Sequence, residues 1–561
     1  MFVFSPLPMT LFRSCLPLLL LLGGLARPLT SPAQTLNLDK PAAAALKKVK
    51  PEDLKAHIQF LADDKLRGRQ PGTPGYQMAV DYVTQQLKSF GVQPAGDKGT
   101  FVQTVRLRRA FIEGEPLLAL IEDKKVPTPL RYGEDYAYYP NPAQPRILEE
   151  APLVFAGYGI TAPELKYDDY QGLDVQGRLV LVVRGAPKSF PSTVAAASQD
   201  LTMVMQNALR HGATGVVVAS TAPKAPVPSF KRGAYSVLDA KGKVAASRSY
   251  APGLRLLASV NAATLHRLFT TAQADTGRAL ASLRAGKQAS QPLRTVLRCD
   301  FSSTYKDFES YNVVGQLRGS DKQLSQEYVV HSAHLDHLGV AAAVKGDSIY
   351  NGAHDNASGV ASVLEIARLY SQLKQKPKRS VLFVLQTGEE LGLLGSAYFA
   401  ANPTVPKSRI VADVNTDMPT IIAPLLSVVP LGAQHSTLVQ PVKRAAAYLD
   451  LAVEDDPEPE QNRFIRSDQY SFVMQGIPAL HIKYGNKTAD GKNNLSELVQ
   501  KWRAETYHKP QDDINGLFDY EAGKKYVQLN FLIGYQVANE PQRPLWNKGD
   551  FFGGRFGGGL K

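Results

Sequence analysis

The chain reads as an α/β protein: a mixed, mostly parallel sheet covered by helices on both faces, interrupted by an inserted β-rich α+β module. Three observations predict this. From about residue 295 to 540, buried strand candidates alternate with helical patterns, the signature of a sheet sandwiched between helices. Between about 150 and 290 the texture changes to short Val-rich strands divided by Gly, Pro and Asp. The length of 561 residues exceeds what one ordinary core supports.

Residues 1–33 read as a secretory signal peptide. Arg13 precedes the apolar run Leu16-Pro-Leu-Leu-Leu-Leu-Leu22, and Ser31-Pro-Ala33 offers small residues for cleavage. The apolar part is too short for a stable membrane anchor, and no later segment approaches a spanning length, so no membrane span is expected. Cys15 precedes the apolar run, which argues against a lipid-modified cysteine, and cleavage after Ala33 leaves Cys299 as the remaining cysteine. An intramolecular disulfide is then excluded. A large exported chain almost free of cysteine suits a bacterial periplasmic or secreted protein.

Residues 45–148 form an N-terminal part of the main domain. Pro51 to Gly96 reads as two helices around the turn-rich loop Gly68-Arg-Gln-Pro-Gly-Thr-Pro-Gly75. In the second helix Ala79, Tyr82, Val83, Leu87 and Phe90 follow the helical period. Strands follow, including Phe101 to Leu107. Residues 149–292 form the insert, with strands Pro152 to Ile160, Leu179 to Arg184 and Val216 to Ala219, and a helix over Leu201 to Arg210 that meets Gly212 as a stop. The insert holds His211 and His266 but no carboxylate–histidine cluster, which marks it as non-catalytic. Residues 293–542 carry strands Tyr328 to Ser332, Val381 to Gln386, Ile410 to Val414 and Ala479 to Ile482. The Gly-rich end, 543–561, reads as a flexible tail.

The net charge of +13 invites a nucleic-acid reading, which fails for want of a localised basic footprint. The densest clusters, Lys47-Lys48-Val-Lys50 and Lys374 to Arg379, are short and sit in linkers or helix ends. No nucleic-acid partner is expected.

Chemistry gathers at strand ends of residues 293–542. His334 and Asp336 lie two apart after a strand, so both can point one way, a spacing that suits a metal-bound imidazole held through its second nitrogen. Asp355 stands in the Asx-rich turn Asn351 to Gly359, where it or Ser358 is equally suited to cap a helix. Glu389 and Glu390 follow an apolar strand. Adjacent carboxylates there are unfavourable unless a cation shares the site or one is protonated, and a metal on Glu390 with Glu389 as proton shuttle meets both conditions. Asp417 ends the next strand, and His508 comes late in the chain. Singly each has a structural reading; together His334, Asp355, Glu390, Asp417 and His508 are the donor types of a two-zinc hydrolytic site.

The strings Ser332-Ala-His-Leu-Asp-His-Leu-Gly339, Asp355-Asn-Ala-Ser-Gly359, Glu389-Glu-Leu-Gly-Leu-Leu-Gly-Ser396, Asn415-Thr-Asp-Met418, Ser467-Asp-Gln-Tyr470 and Tyr507-His508 closely resemble the M28 family of co-catalytic zinc peptidases. The segment Ala56 to Gly96 resembles the N-terminal helices of its exported bacterial aminopeptidases, and Phe155 to Pro163 onward is similar to their protease-associated (PA) insert. The resemblance implies a zinc-peptidase fold and two Zn2+ per chain. Asp355 would bridge, His334 and Asp417 would hold one ion, and Glu390 and His508 the other. Glu389 would be general base and then acid, Asp336 would orient His334, and Tyr507 would offer its hydroxyl to the oxyanion. The implied substrate is a peptide with a free N-terminus. His354 departs from the family pattern and is expected outside the ligand set, while His331, His337 and His481 are expected to be structural.

Rival readings are a related carboxypeptidase, dipeptidase or glutaminyl cyclase. Arg463 and Arg466, near Ser467-Asp468, keep a carboxylate clamp open. A receptor-like scaffold is disfavoured because ligands and base are all present. The sequence does not set the oligomeric state.

Overall fold

The computed structural model describes residues 36, 38–122 and 126–559. The expected signal peptide at 1–33 lies outside them. Among the described residues no helix is long and apolar enough to cross a membrane.

Four parallel strands form the centre of the main sheet, in the order Ser380–Gln386, Tyr328–His334, Ile410–Asn415 and Ala479–Tyr484. Antiparallel strands flank them, Gln291–Leu317 on one side and Ser427–Leu431 on the other. Alternation along the all-apolar strand explains the two covered faces. Val381, Phe383 and Leu385 face one core with the helices Pro51–Leu61, Pro74–Ser89, Ser358–Ser371 and Tyr520–Asn539, whereas Leu382 and Val384 face the opposite core. The expected mixed, mostly parallel sheet between helical layers is what the structure has.

The segment 149–292 builds a second run of strands. Arg146–Phe155, Leu179–Val183, Gly215–Ala219 and Leu256–Val260 pair in parallel in that order. The helix Leu201–Arg210 has the expected bounds and is capped by Asp200, which accepts from the Thr202 amide. It packs Val204, Met205 and Ala208 into a satellite core with Val180, Val182, Val216 and Val218.

The boundary near residue 292 is not a linker. One 27-residue strand, Gln291–Leu317, pairs first with Arg146–Phe155 and later with the central sheet. Along most of its length it also pairs with the 21-residue strand Val102–Glu122, with an irregularity at Asp300/Ser302. A two-stranded ribbon therefore joins insert and main sheet.

The Gly-rich end corrects the expectation of a flexible tail. Asp550 accepts from the amides of Phe552 and Gly553 and starts a helix, Phe551–Phe556. Phe551 and Phe552 are buried, and a Cβ on Gly553 would lie 2.6 Å from the Trp546 side chain. Two buried aromatics and the close approach that glycine permits outweigh its conformational entropy.

Candidate metal centre

The site lies outside the carboxyl ends of the parallel strands, where open α/β sheets place ligands. His334 is the last residue of its strand, in register with Gln386. Glu389 and Glu390 come just past Gln386, and Asp417 just past Asn415. His508 follows the helix Leu495–Thr506.

Asp355 stands in the turn that opens the helix Ser358–Ser371, but it is no cap. Asn356 does that work: its Oδ1 accepts from the amides of Gly359 and Met418, each at 3.0 Å, and its Nδ2 donates to the Thr416 carbonyl at 3.0 Å. One amide side chain thus ties the Asp355 turn to the Asp417 turn. Gly352 is required before it: φ is +63°, and a Cβ would come within 2.0 Å of the Asp355 carbonyl oxygen.

The structure brings all five expected donors together. His334 Nε2 lies 3.2 Å from Asp355 Oδ1 and 3.6 Å from Asp417 Oδ1. His508 Nε2 lies 3.2 Å from Asp355 Oδ2 and 3.3 Å from Glu390 Oε2. The two oxygens of Asp355 therefore face different imidazoles. His334, Asp355 and Asp417 form one group able to hold a cation, with ligand atoms within 4.8 Å of one another.

The other group so defined joins Asp355 and Glu390 to His337, a residue the sequence reading set aside as structural. His337 Nδ1 is 2.7 Å from Glu390 Oε1 but not aligned for a hydrogen bond, and His337 Nε2 is unpartnered. Buried polar atoms left in this state call for a missing partner such as an ion. Imidazoles and carboxylates with Asp355 shared between two groups form a donor set that fits zinc.

The surrounding groups fix this geometry. His334 Nδ1 lies 3.1 Å from the Asp336 carbonyl oxygen, while the Asp336 carboxylate is 3.9 Å away. Asp336 therefore reaches His334 through its backbone carbonyl and not through its carboxylate. Its carboxylate is committed elsewhere, accepting from the amides of Glu389 and Glu390 at 3.1 and 3.3 Å, which holds the acidic turn in place.

Two supports were missed in the sequence. Asp512 accepts from the amides of His354 and Asp355 at 2.9 and 3.0 Å. Arg69, fully buried, donates to the carbonyls of Leu335, Asn351 and Gly352 at 3.0, 2.5 and 3.0 Å. Only their burial sets them apart from an ordinary turn Asp and loop Arg.

The remaining histidines stand outside the donor groups. His354 stacks on Phe518 at 4.2 Å and its Nδ1 lies 3.2 Å from Asp512. His481 Nε2 lies 2.8 Å from the Asp417 carbonyl oxygen. His331 Nε2 is 3.5 Å from the Tyr370 hydroxyl, and burial lowers its pKa to about 3. Tyr507 stacks on His508 with ring centroids 3.9 Å apart and, with Glu389, lines an open cleft at Asp355 and Asp417.

Electrostatics divides the carboxyl groups. Burial pushes Glu389 well above the ordinary range; His334 opposes this, and Glu390, Asp417 and Asp468 add to it. Asp355 goes the other way: against burial, His334 and His508 hold it well below the ordinary range. One carboxyl group suited to carrying a proton thus stands beside others that stay charged.

Residues 312–530 match the model of peptidase family M28. Leupeptin-inactivating enzyme 1 of Streptomyces exfoliatus is 30% identical over 257 residues, 44% of this chain and 53% of that protein. An aminopeptidase of Pseudomonas aeruginosa is 26% identical over 358 residues, 62% of this chain and 53% of that protein. A probable lipoprotein aminopeptidase of Mycobacterium tuberculosis is 25% identical over 515 residues, 88% and 86% of the two chains. The chain spans about half the length of the first two. Among solved structures, an aminopeptidase from Aneurinibacillus sp. strain AM-1 aligns at 20% identity with a TM-score of 0.47, covering 90% of this chain and 97% of that one.

Proposed function

We propose, from the M28 domain at residues 312–530 and the donor geometry within it, that this chain is an exported di-zinc aminopeptidase removing N-terminal residues from peptides. The observation that carries the reading is Asp355, whose two oxygens each lie 3.2 Å from a different imidazole, with Glu389 lining the cleft beside it. His334 and Asp417 would hold one ion, Glu390 and His508 the other, with His337 against Glu390 and Asp355 shared. Bound zinc would supply the Lewis acidity that polarises the scissile carbonyl and acidifies water.

The chain's own groups do the rest. Glu389 takes a proton from the attacking water and returns it to the leaving amine. Its turn is fixed by Asp336. Tyr507 keeps its phenol proton, since burial raises its pKa, and offers it to the tetrahedral oxyanion. The segment 149–292 is read as a PA-type insert beside the catalytic domain.

Glu389→Gln tests the assignment. It keeps the size of the side chain but can neither accept nor release a proton, so kcat should fall by about 10²–10⁴-fold with zinc content unchanged. Retained turnover would sink the role given to Glu389, and loss of zinc would make it a ligand instead of a base. N-acetylation of a cleaved peptide should abolish its hydrolysis.

A further inference from the structure

The wall of the cleft that faces the donors is basic, and the proposed chemistry makes no use of it. Lys483, Arg463, Arg466 and Arg503 all line the same space as His334, Asp355, Glu389 and Asp417. Their charges are not equally spoken for. Arg463 is paired with Asp456 and with Glu458, the latter at 3.3 Å. Lys483 is buried and gives two N–H groups to the carbonyls of Asp417 and Met418 at 2.8 and 3.0 Å, which leaves one ammonium N–H uncommitted.

Arg466 and Arg503 pair with no carboxylate among the described residues. Arg503 nevertheless has a fixed position. Its guanidinium lies 3.8 Å from the centroid of the Tyr507 ring, which in turn stacks on His508, so a cation, a phenol and one donor imidazole form a single stack. Arg466 continues the wall. It also lines an adjoining open pocket with Arg184 and Arg248, where Arg248 is paired with Asp200.

The carboxylates in the cleft are donors or the proton carrier, which leaves the opposite wall positive. Such a wall attracts an anion, and a guanidinium held in place is suited to bidentate recognition of a carboxylate.

We propose that this wall recognises a substrate carboxylate next to the scissile bond, through Arg503 and Arg466 with Lys483 behind them. The proposal rests on the aminopeptidase reading above. The carboxylate has two possible sources: the acidic side chain of the N-terminal residue, or the C-terminal carboxylate of a dipeptide.

Matched pairs of substrates on the zinc-loaded full chain separate these. Glu-Ala-Ala-amide against Gln-Ala-Ala-amide isolates the side chain, and Leu-Ala against Leu-Ala-amide isolates the terminus. In at least one pair the charged member should have a kcat/KM higher by about tenfold or more, as a charge-assisted hydrogen bond implies, and the responding pair names the source. Arg503→Gln and Arg466→Gln should each bring that ratio toward one. Both are mouth residues without ion-pair partners, and the wild-type ratios alone already test the idea. Ratios within about twofold in both pairs, or a preference that survives both substitutions, overturn the carboxylate proposal while cleavage of Leu-Ala-amide leaves the aminopeptidase reading standing. If no free-amine peptide is cleaved, that reading fails and this one with it.

Discussion

Replacing Asp512 with Asn probes how the shared carboxylate is held. Asp512 is buried, and its two oxygens accept from consecutive amides, those of His354 at 2.9 Å and Asp355 at 3.0 Å. Asparagine is nearly isosteric but keeps one acceptor oxygen, so whichever way it turns, one buried N–H faces an NH2 group. The loss is one charge-assisted hydrogen bond plus a stranded donor, about 2–4 kcal/mol of folding stability. Because the affected amide belongs to Asp355 or its neighbour, zinc affinity should fall by about 10–100-fold as well. Urea unfolding of the metal-free protein reads the first quantity, and zinc titration against a competing chelator reads the second. Metal-free stability within about 0.5 kcal/mol of wild type, together with unchanged zinc affinity, would refute the idea that this carboxylate positions the Asp355 turn.

Three further substitutions test other parts of the structure. His337→Ala should weaken zinc binding by about 10–100-fold at the Asp355–Glu390 group, and an unaltered titration would return His337 to a structural role. At Gly534 a Cβ would lie 2.2 Å from His331 Nε2 and 3.0 Å from the Tyr370 hydroxyl, so Gly534→Ala should cost about 1–3 kcal/mol by overpacking; an unchanged urea midpoint would show that the helix shifts freely. His331 stays neutral in the fold down to about pH 3, whereas in the unfolded chain it takes up a proton below about pH 6.5. Its contribution is therefore complete above pH 6.5 and is lost as the pH falls toward 3, by about 2 kcal/mol on reaching pH 5. His331→Gln should flatten that part of the stability profile of the metal-free protein, and a variant with the wild-type slope would contradict it.

The sheet was legible because buried strands such as Val381 to Gln386 are apolar without interruption, and His334, Glu390 and Asp417 stood out because each follows such a run. What escaped the reading depends on burial that sequence does not reveal. Arg69 lies in a Gly/Pro-rich loop, where an arginine reads as solvated; only the fold turns its guanidinium onto three carbonyls of the site. His337 was set aside because the ligand count was complete without it, yet the same turn that presents His334 brings it against Glu390. Asp336 was read as a neighbour of His334 without the atom being fixed, since alternation along a strand says where a side chain points and not which group claims it. The tail misled because glycine signals flexibility until aromatic side chains such as Phe551 and Phe552 find a surface to bury against.

The ribbon made by Val102–Glu122 and Gln291–Leu317 bears on how this protein comes into being. Its paired residues, such as Glu122 with Thr295 and Val102 with Val313, are about 170 or more positions apart, and the whole intervening segment is the loop that their pairing must close. During synthesis the first strand waits roughly 10–35 s for its partner, exposed as an unpaired edge. Pairings this distant in sequence also slow folding itself. The flanking strand of the catalytic sheet is the far half of that same ribbon, so a fragment starting at residue 293 would begin inside the strand and lack the partner that covers it. Zinc-binding competence should therefore arrive late, as one event with completion of the ribbon, and separate expression of the catalytic half should give aggregates in place of a smaller enzyme.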